Sequence, residues 1–353
     1  MRSNNGQTHI LRAVRQLGDF RRRQPCGVRQ FGRLAALIVL GLAVWGPPSE
    51  AQQVQQSEKT LTSSCVASEM ASLLVLDGNS VHVNQFHEAT EPSSSDQQNS
   101  AKNNATNDLA FTQSMRDARK LFEKEAHQGK ASAQVNFAVA SLAGWGGKPD
   151  AGAALYWLQA AADQKFAPAY YDLGMLYLKG CGVRQDYSEA RKYFEAGANT
   201  GDLASEVNLG YLYDRGIGVA QNRTVAASWY RKAADAGEPK AQYNLADLYL
   251  RGEGVAHDEA AAFDWFQKAA MQGHSGARVM LGHMLASGRG TNKDVVAAYA
   301  WLSTAVSQGD TRGQFLLLSL EKQLTQEQIA SALERAESIA KADKQSAEVA
   351  ALR

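Results

Sequence analysis

The chain has 353 residues, of which 44% are hydrophobic, and it carries 37 basic and 36 acidic side chains. That length allows one or two globular domains or one elongated repeat array. The first 51 residues hold eight arginines against two acidic residues, so the remainder has an acidic excess of five charges. Because nucleic-acid binding depends on a basic surface, this composition argues against nucleic acid as the main partner.

The first 51 residues have the features of an export signal. The arginine-rich stretch is followed by an apolar run from Leu34 to Trp45, and small residues stand two apart at Ser49 and Ala51. The apolar run has 12 residues, whereas a membrane-spanning helix needs about 20. We therefore predict a signal peptide over residues 1–51, cleaved after Ala51, and a periplasmic or secreted mature chain without a membrane span. An uncleaved N-terminal anchor is the alternative.

Residues 52–110 form a low-complexity segment that we predict to be mostly disordered. Serine, asparagine and glutamine dominate much of its sequence, so it has too little apolar surface to offset the entropy lost on folding. The stretch from Val66 to Leu76 is apolar enough for one short helix or docking segment. Export would permit a disulfide between Cys65 and Cys181, but the position of Cys65 in this segment favours unpaired cysteines.

The rest of the chain repeats itself every 36 residues. Bulky apolar residues, glycines two positions apart and large aromatic residues recur in a constant phase, which is typical of a repeat architecture. The apolar row is Phe137, Leu173, Leu209, Leu245, Leu281 and Leu317; the first glycines are Gly144, Gly180, Gly216, Gly252 and Gly288; the aromatic row is Trp157, Tyr193, Trp229, Trp265 and Trp301. Five full copies without insertions therefore occupy residues 133–309.

Each copy predicts two helices joined by a turn. In the second copy, Leu173 and Tyr177 recur at helical spacing, and Gly180 follows where a helix end needs a positive φ. Asp186 then stands at an N-cap position, as aspartate or asparagine does in the other copies. The second helix carries small residues and a bulky aromatic, such as Trp229, which we expect to fill the space between neighbouring helices.

These copies predict an all-α fold, a right-handed α-solenoid over residues 111–345. A single helical hairpin cannot bury its apolar face alone, whereas stacking on the next copy can bury it. A half-repeat precedes the array, with Ser114 as the N-cap of a helix in phase with the later second helices. At the other end the glycines are absent, and the sequence from Leu324 to Gln328 begins a capping helix. We assign this C-terminal cap to residues 310–345.

The fourth copy carries the most regular form of the pattern, in the segments 241–246, 252–255 and 265–270 together with Tyr249 and Gly273. These residues closely resemble the Sel-one-like repeat, a relative of the tetratricopeptide repeat, and Leu324 to Ala336 looks like the C-terminal helix of many bacterial members. The first and fifth copies depart most from the pattern, at Ser141, Gly147, Leu285 and Thr291. Members mostly serve as adaptors, so the resemblance implies a non-enzymatic scaffold.

No group of residues predicts catalysis, a cofactor or a metal. The five Gly-x-Gly elements follow helices rather than strands, so they predict helix ends instead of a nucleotide loop. Ser338 and Lys341 have the Ser-x-x-Lys spacing of penicillin-interacting enzymes, and some cysteine-rich relatives are credited with β-lactam hydrolysis, but the companion motifs are absent. His82 and His87 with Glu88 could hold a metal only if their low-complexity segment were ordered.

One side of the first helix in each copy is the predicted binding face. In tetratricopeptide-like solenoids the first helices line the concave wall, so the resemblance implies that residues opposite the packed side face a partner. The candidate residues are Tyr171, Lys179, Asn208, Tyr211, Arg215, Tyr243, Asn244, Arg251 and His283, and their rows also contain Met175, Val207, Asp247 and Val279, with Asn136 and Asp172 beside them. Tyrosines would offer contact area, asparagines would pair with a peptide backbone, and basic side chains would bind carboxylates.

Each of these features has a second interpretation. The asparagines could join adjacent helices instead of binding a partner. The basic residues precede the helix-terminal glycines, where any cation is favoured by the helix dipole. The tyrosines could belong partly to the core.

Three functions follow from the sequence and the resemblance. The first is an exported scaffold that binds a protein or peptide in envelope signalling, envelope assembly or host contact. The alternative is a binder of exopolysaccharide or peptidoglycan, since tyrosines beside asparagine and aspartate also suit sugars. The third is a β-lactam hydrolase, which the missing companion motifs disfavour.

Overall fold

The computed structural model describes residues 73–76, 79–82, 113 and 115–352, with side chains for 113 and 115–345. Among these residues the chain forms 13 helices and one two-stranded hairpin. It divides into two units, Met1–Gln185 and Asp186–Arg353. The described part of the first unit contains the hairpin and four helices, and that of the second contains nine helices.

The helices follow the predicted repeat. First helices alternate with second helices, and helices α3 to α11 are each 13 residues long, which leaves no room for an insertion. Their bounds are α1 (115–127), α2 (Ala131–Leu142), α3 (Ala151–Asp163), α4 (Ala167–Lys179), α5 (Tyr187–Asn199), α6 (Leu203–Arg215), α7 (Arg223–Asp235), α8 (Pro239–Arg251), α9 (Glu259–Met271), α10 (Ser275–Ser287), α11 (Val295–Ser307), α12 (Gln314–Glu321) and α13 (Gln326–Leu352). This order confirms the predicted all-α repeat array, with α1 as its half-repeat.

Neighbouring helices pack in chain order, as a solenoid requires. In the first unit α2 packs against α3, and α3 against α4. In the second unit each helix from α5 to α10 packs against the next one. Stacking of this kind lets each hairpin bury the apolar face that it cannot bury alone.

The predicted N-caps start every second helix of the repeats. The side chain of Asp186 accepts hydrogen bonds from the backbone N–H groups of Ser188 and Glu189, and Asn222 accepts one from Val225. Asp150, Asp258 and Asp294 act in the same way on α3, α9 and α11. These bonds satisfy backbone donors that have no partner inside the helix. The N-cap predicted at Ser114 lies outside the described residues.

The two glycines of each Gly-x-Gly element have different roles. The first, such as Gly252 with φ +67°, ends a first helix in the left-handed conformation that favours glycine. The second, such as Gly254, also has a positive φ and lies against the start of the previous second helix. A Cβ atom at Gly254 would lie 2.3 Å from the carbonyl group of Arg223. The second glycine is therefore a contact between repeats as well as part of a helix end.

The core alternates one leucine of a first helix with one bulky residue of a second helix. Leu245 and Tyr230, 0% and 2% exposed, belong to one hydrophobic cluster, and Leu281 and Phe266, both 0% exposed, belong to the next. Gly210 lies so close to the Tyr230 ring that a Cβ atom would be 2.7 Å from it. The sequence assigned the filling role to the Trp229 row. Members of this row are partly buried, and Trp157, Trp265 and Trp301 pack against the core clusters, while the residue that follows each of them in the chain is fully buried.

A β-hairpin lies within the segment that was predicted to be mostly disordered. Strand β1 (Leu73–Leu76) pairs with strand β2 (Asn79–His82) in antiparallel fashion, with Leu73 opposite His82. Residues 73–76 are thus extended where the sequence allowed a short helix. Strand β1 is in contact with α2, in line with the docking alternative for this segment.

The array ends with a change of packing. A short 3-10 helix (Thr311–Gly313) leads into α12, and α13 then packs extensively against α11. Helix α11 has no charged residue, which suits a helix covered by another helix on its outer side. The predicted C-terminal cap is therefore present, and it covers a second helix.

Candidate partner-binding face

The name A-helix face is used here for the solvent side of the first helices, where the sequence places the candidate residues. In the first unit most of this row is not available to a partner. Met175 and Asp172 on α4 are 4% and 1% exposed, and Asn136 on α2 is 4% exposed. Tyr171 and Lys179 are half-buried, and both interact with other groups of the protein. Contacts within the chain thus take up much of the predicted face here.

In the second unit α6 presents an open part of the A-helix face. Tyr211 is 40% exposed, and the Arg215 side chain is 58% exposed. The guanidinium carbon of Arg215 lies 6.0 Å from the centre of the Tyr211 ring, at the limit of a cation–π contact. Val207, one turn earlier, is buried. Tyr211 and Arg215 therefore form the accessible end of the α6 row.

The two candidate asparagines differ from each other. Asn208 donates from Nδ2 to the backbone oxygen of Ala204 at 2.8 Å, within its own helix. Asn244 is half-buried, and its amide has no hydrogen-bond partner among the described residues. The idea that this row joins adjacent helices therefore does not hold for Asn208. Asn244 keeps both an amide donor and an acceptor for a partner.

Two of the basic candidates, Arg215 and Arg251, belong to a chain of six side chains with alternating charge. Arg215 lies 3.5 Å from Asp214, and Arg223 lies 3.4 Å from the other oxygen of the same carboxylate. The chain continues through the carboxylate of Glu253 and Arg251 to Asp247, with contacts of 3.2, 2.6 and 2.5 Å. Three arginines thus pair with three carboxylates. Arg251 is already paired with two carboxylates of its own chain, so its charge is not free to bind a carboxylate of a partner.

The Glu253 contacts are ionic rather than well-aligned hydrogen bonds. Its buried oxygen Oε2 lies close to both arginines but has no hydrogen-bond partner of acceptable geometry. Burial also affects the other end of the chain, because it raises the pKa of Asp247 while Arg251 opposes the shift. The network is therefore a charge-balanced edge of the A-helix face.

Tyr243 on α8 is tied into a polar cluster. Its ring stacks on the His274 ring with centres 4.7 Å apart, and its hydroxyl is hydrogen-bonded to Arg312. Burial lowers the pKa of His274 to about 4, so the ring is neutral and accepts the N–H of Ala277 as the N-cap of α10. Tyr243 is thus held in place by its neighbours instead of being freely mobile.

Arg312 also forms an ion pair with Asp310, and the two charges neutralise each other. Its side chain donates to both oxygens of Asp310, at 2.9 and 2.5 Å. These bonds hold the pKa of Asp310 down at about 2, so the carboxylate stays ionised over the physiological range. A cavity of about 350 Å³ lies beside the pair and is lined by Ser275, Gln308, Gly309, Asp310, Thr311 and Arg312.

Phe315, the most exposed large apolar side chain of the described residues, is not among the candidate residues that the sequence predicted. It is 87% exposed on α12, and Leu318 one turn later is 49% exposed. Phe315 lies 36 residues after Val279 and 72 after Tyr243, so it continues a candidate row. His283, the last candidate residue along the chain, is exposed on α10 as predicted.

Features that would indicate chemistry are absent from the described part of the chain. No group of three or more metal-binding side chains occurs there, and no helix is long and apolar enough to cross a membrane. The hydroxyl of Ser338 donates to the backbone oxygen of Glu334 in its own helix at 3.0 Å, and Lys341 is exposed. His87 and Glu88 lie outside the described residues, as does the side chain of His82.

Cys181 is buried and disulfide-bonded, contrary to the expectation of unpaired cysteines. The other two cysteines of the chain, Cys26 and Cys65, lie outside the described residues. Disulfides persist mainly in oxidising compartments.

Stacked helical hairpins of constant length, joined by glycine pairs, define an α-helical repeat protein of the solenoid class. The family model for the Sel1 repeat matches five consecutive segments, residues 131–166, 167–202, 203–238, 239–274 and 275–310, which together span half of the chain. The chain therefore belongs to the Sel1 repeat family, whose members typically mediate protein–protein interaction.

Solved structures agree with this assignment. A protective antigen present in uropathogenic Escherichia coli strains, with the Sel1-like repeat fold, is 35% identical with a TM-score of 0.61; the match covers 67% of this chain and 50% of the antigen. A Sel1 repeat protein from Oxalobacter formigenes is 34% identical with a TM-score of 0.53, covering 57% of this chain and 59% of that one. The matches thus span between half and three fifths of these relatives' own length. No sequence among the curated proteins matches the chain.

Proposed function

We propose that this chain is an exported, non-enzymatic scaffold that binds a protein or peptide on the A-helix face, on the concave side of the solenoid. The observation that carries the proposal is the surface formed by the exposed side chains of Tyr211 and Arg215 on α6 and the half-buried amide of Asn244 on α8, the next first helix. Tyrosine supplies rigid contact area, and an unpartnered amide can pair with a peptide backbone. The typical role of Sel1 repeat proteins in protein–protein interaction supports the same conclusion.

Export rests on two observations of different kinds. The first 51 residues have the basic stretch, apolar run and small residues of a signal peptide. Cys181 is disulfide-bonded, which suits the periplasm or the cell exterior better than a reducing compartment. N-terminal sequencing of the mature protein checks the first point, since a start at residue 52 is expected and retention of residue 1 contradicts cleavage.

The binding face can be tested with one variant and one matched control. The variant combines Tyr211→Ser, Asn244→Ala and Arg215→Ser, which remove two exposed side chains and one half-buried amide, none of them among the buried core residues. The control carries Tyr156→Ser and Gln159→Ala, which alter exposed groups of α3, a second helix. Crosslinking of each protein in its native envelope, followed by mass spectrometry, identifies captured proteins.

The proposal expects a captured protein that the wild type and the control share and that the variant loses by about tenfold or more, as for interface residues that dominate binding. Circular dichroism establishes that the fold of the variant is intact. Equal capture by a folded variant removes the A-helix face from consideration. Binding to peptidoglycan or exopolysaccharide in place of protein, unaffected by salt, would move the function to glycan recognition.

A further inference from the structure

Two rows of the A-helix face are buried in the first unit and accessible in the second. Asn136 and Val139 on α2, and Asp172 and Met175 on α4, are all between 1% and 4% exposed. The same two rows are half-buried or exposed in the second unit, at Asn208, Tyr211, Asn244 and Asp247. Some part of the chain therefore covers this face in the first unit.

The packing of second helices does not account for this burial. Helix α1 takes the place of a preceding second helix, and its residue Phe122 shares a hydrophobic cluster with Phe137 and Ala140 on α2. Phe137 and Ala140 belong to rows that are buried in every repeat, so α1 covers a different side of α2. In the second unit α6 packs against two second helices, α5 and α7, and its residues Asn208 and Tyr211 still remain accessible.

The hairpin that precedes the array contacts this part of the first unit. Strand β1 (Leu73–Leu76) is in contact with α2. Each strand of a two-stranded sheet has one free edge, where backbone N–H and C=O groups have no partner within the sheet. Asn136 and Asp172 offer an amide and a carboxylate that can pair with such groups, and both interact with other groups of the protein. The buried rows therefore have the chemistry that an extended segment needs.

A covalent bond ties the chain before the hairpin to α4. Cys181, two residues after the end of α4, is 2% exposed and disulfide-bonded. The other two cysteines, Cys26 and Cys65, both precede β1 in the chain. Because Cys26 lies in the predicted signal peptide, Cys65 is the partner that remains after export. The eight residues from Cys65 to Leu73 span up to about 28 Å when extended, which is enough to pass from one first helix to the next, since packed helices lie about 10 Å apart.

We propose that the segment from Cys65 to His82 occupies the A-helix face of the first unit as an intramolecular ligand. A disulfide between Cys65 and Cys181 holds it beside α4, and β1 holds it on α2. A partner then reaches only the part of the A-helix face that lies in the second unit. The segment occupies the first unit whether or not the second unit binds a protein, so this inference and the proposed function can fail separately.

Two measurements on the unmutated chain, purified without reductant, test the position of the segment. Trypsin should release residues 60–102, which contain Cys65 and the hairpin, joined to residues 180–184, which contain Cys181. Photo-methionine incorporated during expression makes Met175 photoreactive, and irradiation should crosslink residues 166–179 to residues 60–102. A Cys181 that is free or bonded to another cysteine, or crosslinks of Met175 only to the rest of the array, overturns the inference.

Methionine oxidation measures whether the segment covers the face. Hydrogen peroxide transfers one oxygen atom to an accessible methionine sulfur, which gives the sulfoxide and water. Three methionines of the chain serve as reporter and controls. Met175 is 4% exposed on the covered face, Met284 is 2% exposed in the core of the fifth repeat, and Met271 is 68% exposed. The rate of each is followed by mass spectrometry.

The variant for this measurement removes both attachments of the segment. Cys65→Ser/Cys181→Ser deletes the disulfide, and Leu74→Pro/Val81→Pro disrupts the hairpin. Residues 74 and 81 pair directly across the two strands, and proline cannot donate a hydrogen bond to the ladder. The matched control keeps both cysteines and carries two prolines in the same low-complexity segment beyond the hairpin, at Gln97 and Asn99.

The inference expects Met175 of the fourfold variant to be oxidised about tenfold faster than in the wild type. Its exposure should rise from 4% towards the 40% of Tyr211, which lies 36 residues later in the same row. Met284 should stay protected, and the control should behave like the wild type. A Met175 that stays as protected as Met284 overturns the inference. If Met284 is also oxidised faster, the variant has unfolded, and the crosslink from Met175 in the unmutated chain decides.

Discussion

The interior of the array and its C-terminal end solve the same packing problem with different chemistry. In the fourth repeat, the fourth residue of the first helix is Gln242, which donates to the backbone oxygen of Ala234 and accepts from Gln272, at 3.2 and 2.8 Å. In the fifth repeat the same position is Arg278, which is 0% exposed and donates to the backbone oxygen of Ala270 at 3.0 Å.

Arg278 also needs one group from outside the repeats, the carboxylate of Asp343. It donates to Gln308 Oε1 at 2.7 Å and to Asp343 Oδ1 at 2.6 Å, and Asp343 belongs to the terminal helix α13. The residue at this position differs among the interior repeats: the first and fourth have glutamine, whereas the third has Glu206, which is 1% exposed and pairs with Lys232 at 2.7 Å. A buried guanidinium likewise requires an opposite charge, and for Arg278 that charge comes from the terminal helix. The fifth repeat therefore carries a residue, Arg278, whose side chain is satisfied only when the terminal helix follows the array.

The largest expected effect is a loss of stability that extends over more helices in the interior of the array than at its C-terminal end. Leu209→Ala should lower the free energy of unfolding by about 2–5 kcal/mol, because it leaves a cavity in a fully packed joint. Its effect should reach the neighbouring helices α5 to α8, since each repeat is stabilised by its neighbours. Hydrogen exchange with mass spectrometry measures this spread. The matched change Leu320→Ala, also buried, should affect only α11 to α13; an equal spread would refute the comparison.

The second prediction removes the ion pair between Arg278 and Asp343 at the end of the array. Asp343→Ala should cost about 2–3 kcal/mol, less than the largest values for a buried pair, because the Asp343 side chain is 22% exposed. Urea unfolding measures the loss, and hydrogen exchange should increase mainly in α13. The exposed neighbour Glu337 provides the control, and Glu337→Ala should change little.

A double variant sharpens the same point. Arg278→Gln introduces the residue that the fourth repeat has at this position, Gln242. The double variant Arg278→Gln/Asp343→Ala should therefore be more stable than Asp343→Ala alone, because no buried charge is left without its carboxylate. A double variant that is less stable than Asp343→Ala would show that the arginine acts through packing and not through its charge.

The sequence predicted the repeat better than it predicted the surface. The leucine row and the N-caps such as Asp186 depend on spacing within one helix, and both are confirmed. The burial of Met175 and the pairing of Arg223 with Glu253, which are 30 residues apart, depend on contacts between segments that spacing within one helix does not show. Phe315 could have been found, because it lies in phase with Tyr243, but only by continuing the row past the last glycine pair.

The third prediction concerns a joint inside the array. Gly254→Ala should cost about 2 kcal/mol, because the new Cβ atom would meet the Arg223 carbonyl at 2.3 Å in addition to the strain of a positive φ. Gly237→Ala is the matched control: Gly237 also has a positive φ but no atom within 4 Å of its Cβ position. It should therefore cost about 1 kcal/mol, from backbone strain alone. Thermal unfolding measures both, and equal losses would remove the contact role of the second glycine.

The smallest expected effect is a dependence of stability on pH that comes from His274, at the start of α10. The pKa of His274 is lowered to about 4 in the folded chain, mainly by burial and then by Lys240 and Arg312. The unfolded chain therefore binds a proton near pH 6.5 that the folded chain binds only near pH 4. Stability from this residue is full above pH 6.5 and is lost as the pH falls towards 4, by about 1 kcal/mol after allowance for partial exposure.

Urea unfolding at pH 7.5 and pH 5 measures this loss, and the replacement must keep the N-cap. His274→Asn does so, because asparagine accepts the same backbone N–H at the start of α10. Its stability should depend less on pH over this range than that of the wild type. His283→Asn, on the exposed side of the same helix, should retain the wild-type dependence. If the stability of His274→Asn falls between pH 7.5 and pH 5 by as much as that of the wild type, the acid sensitivity comes from other groups and not from His274.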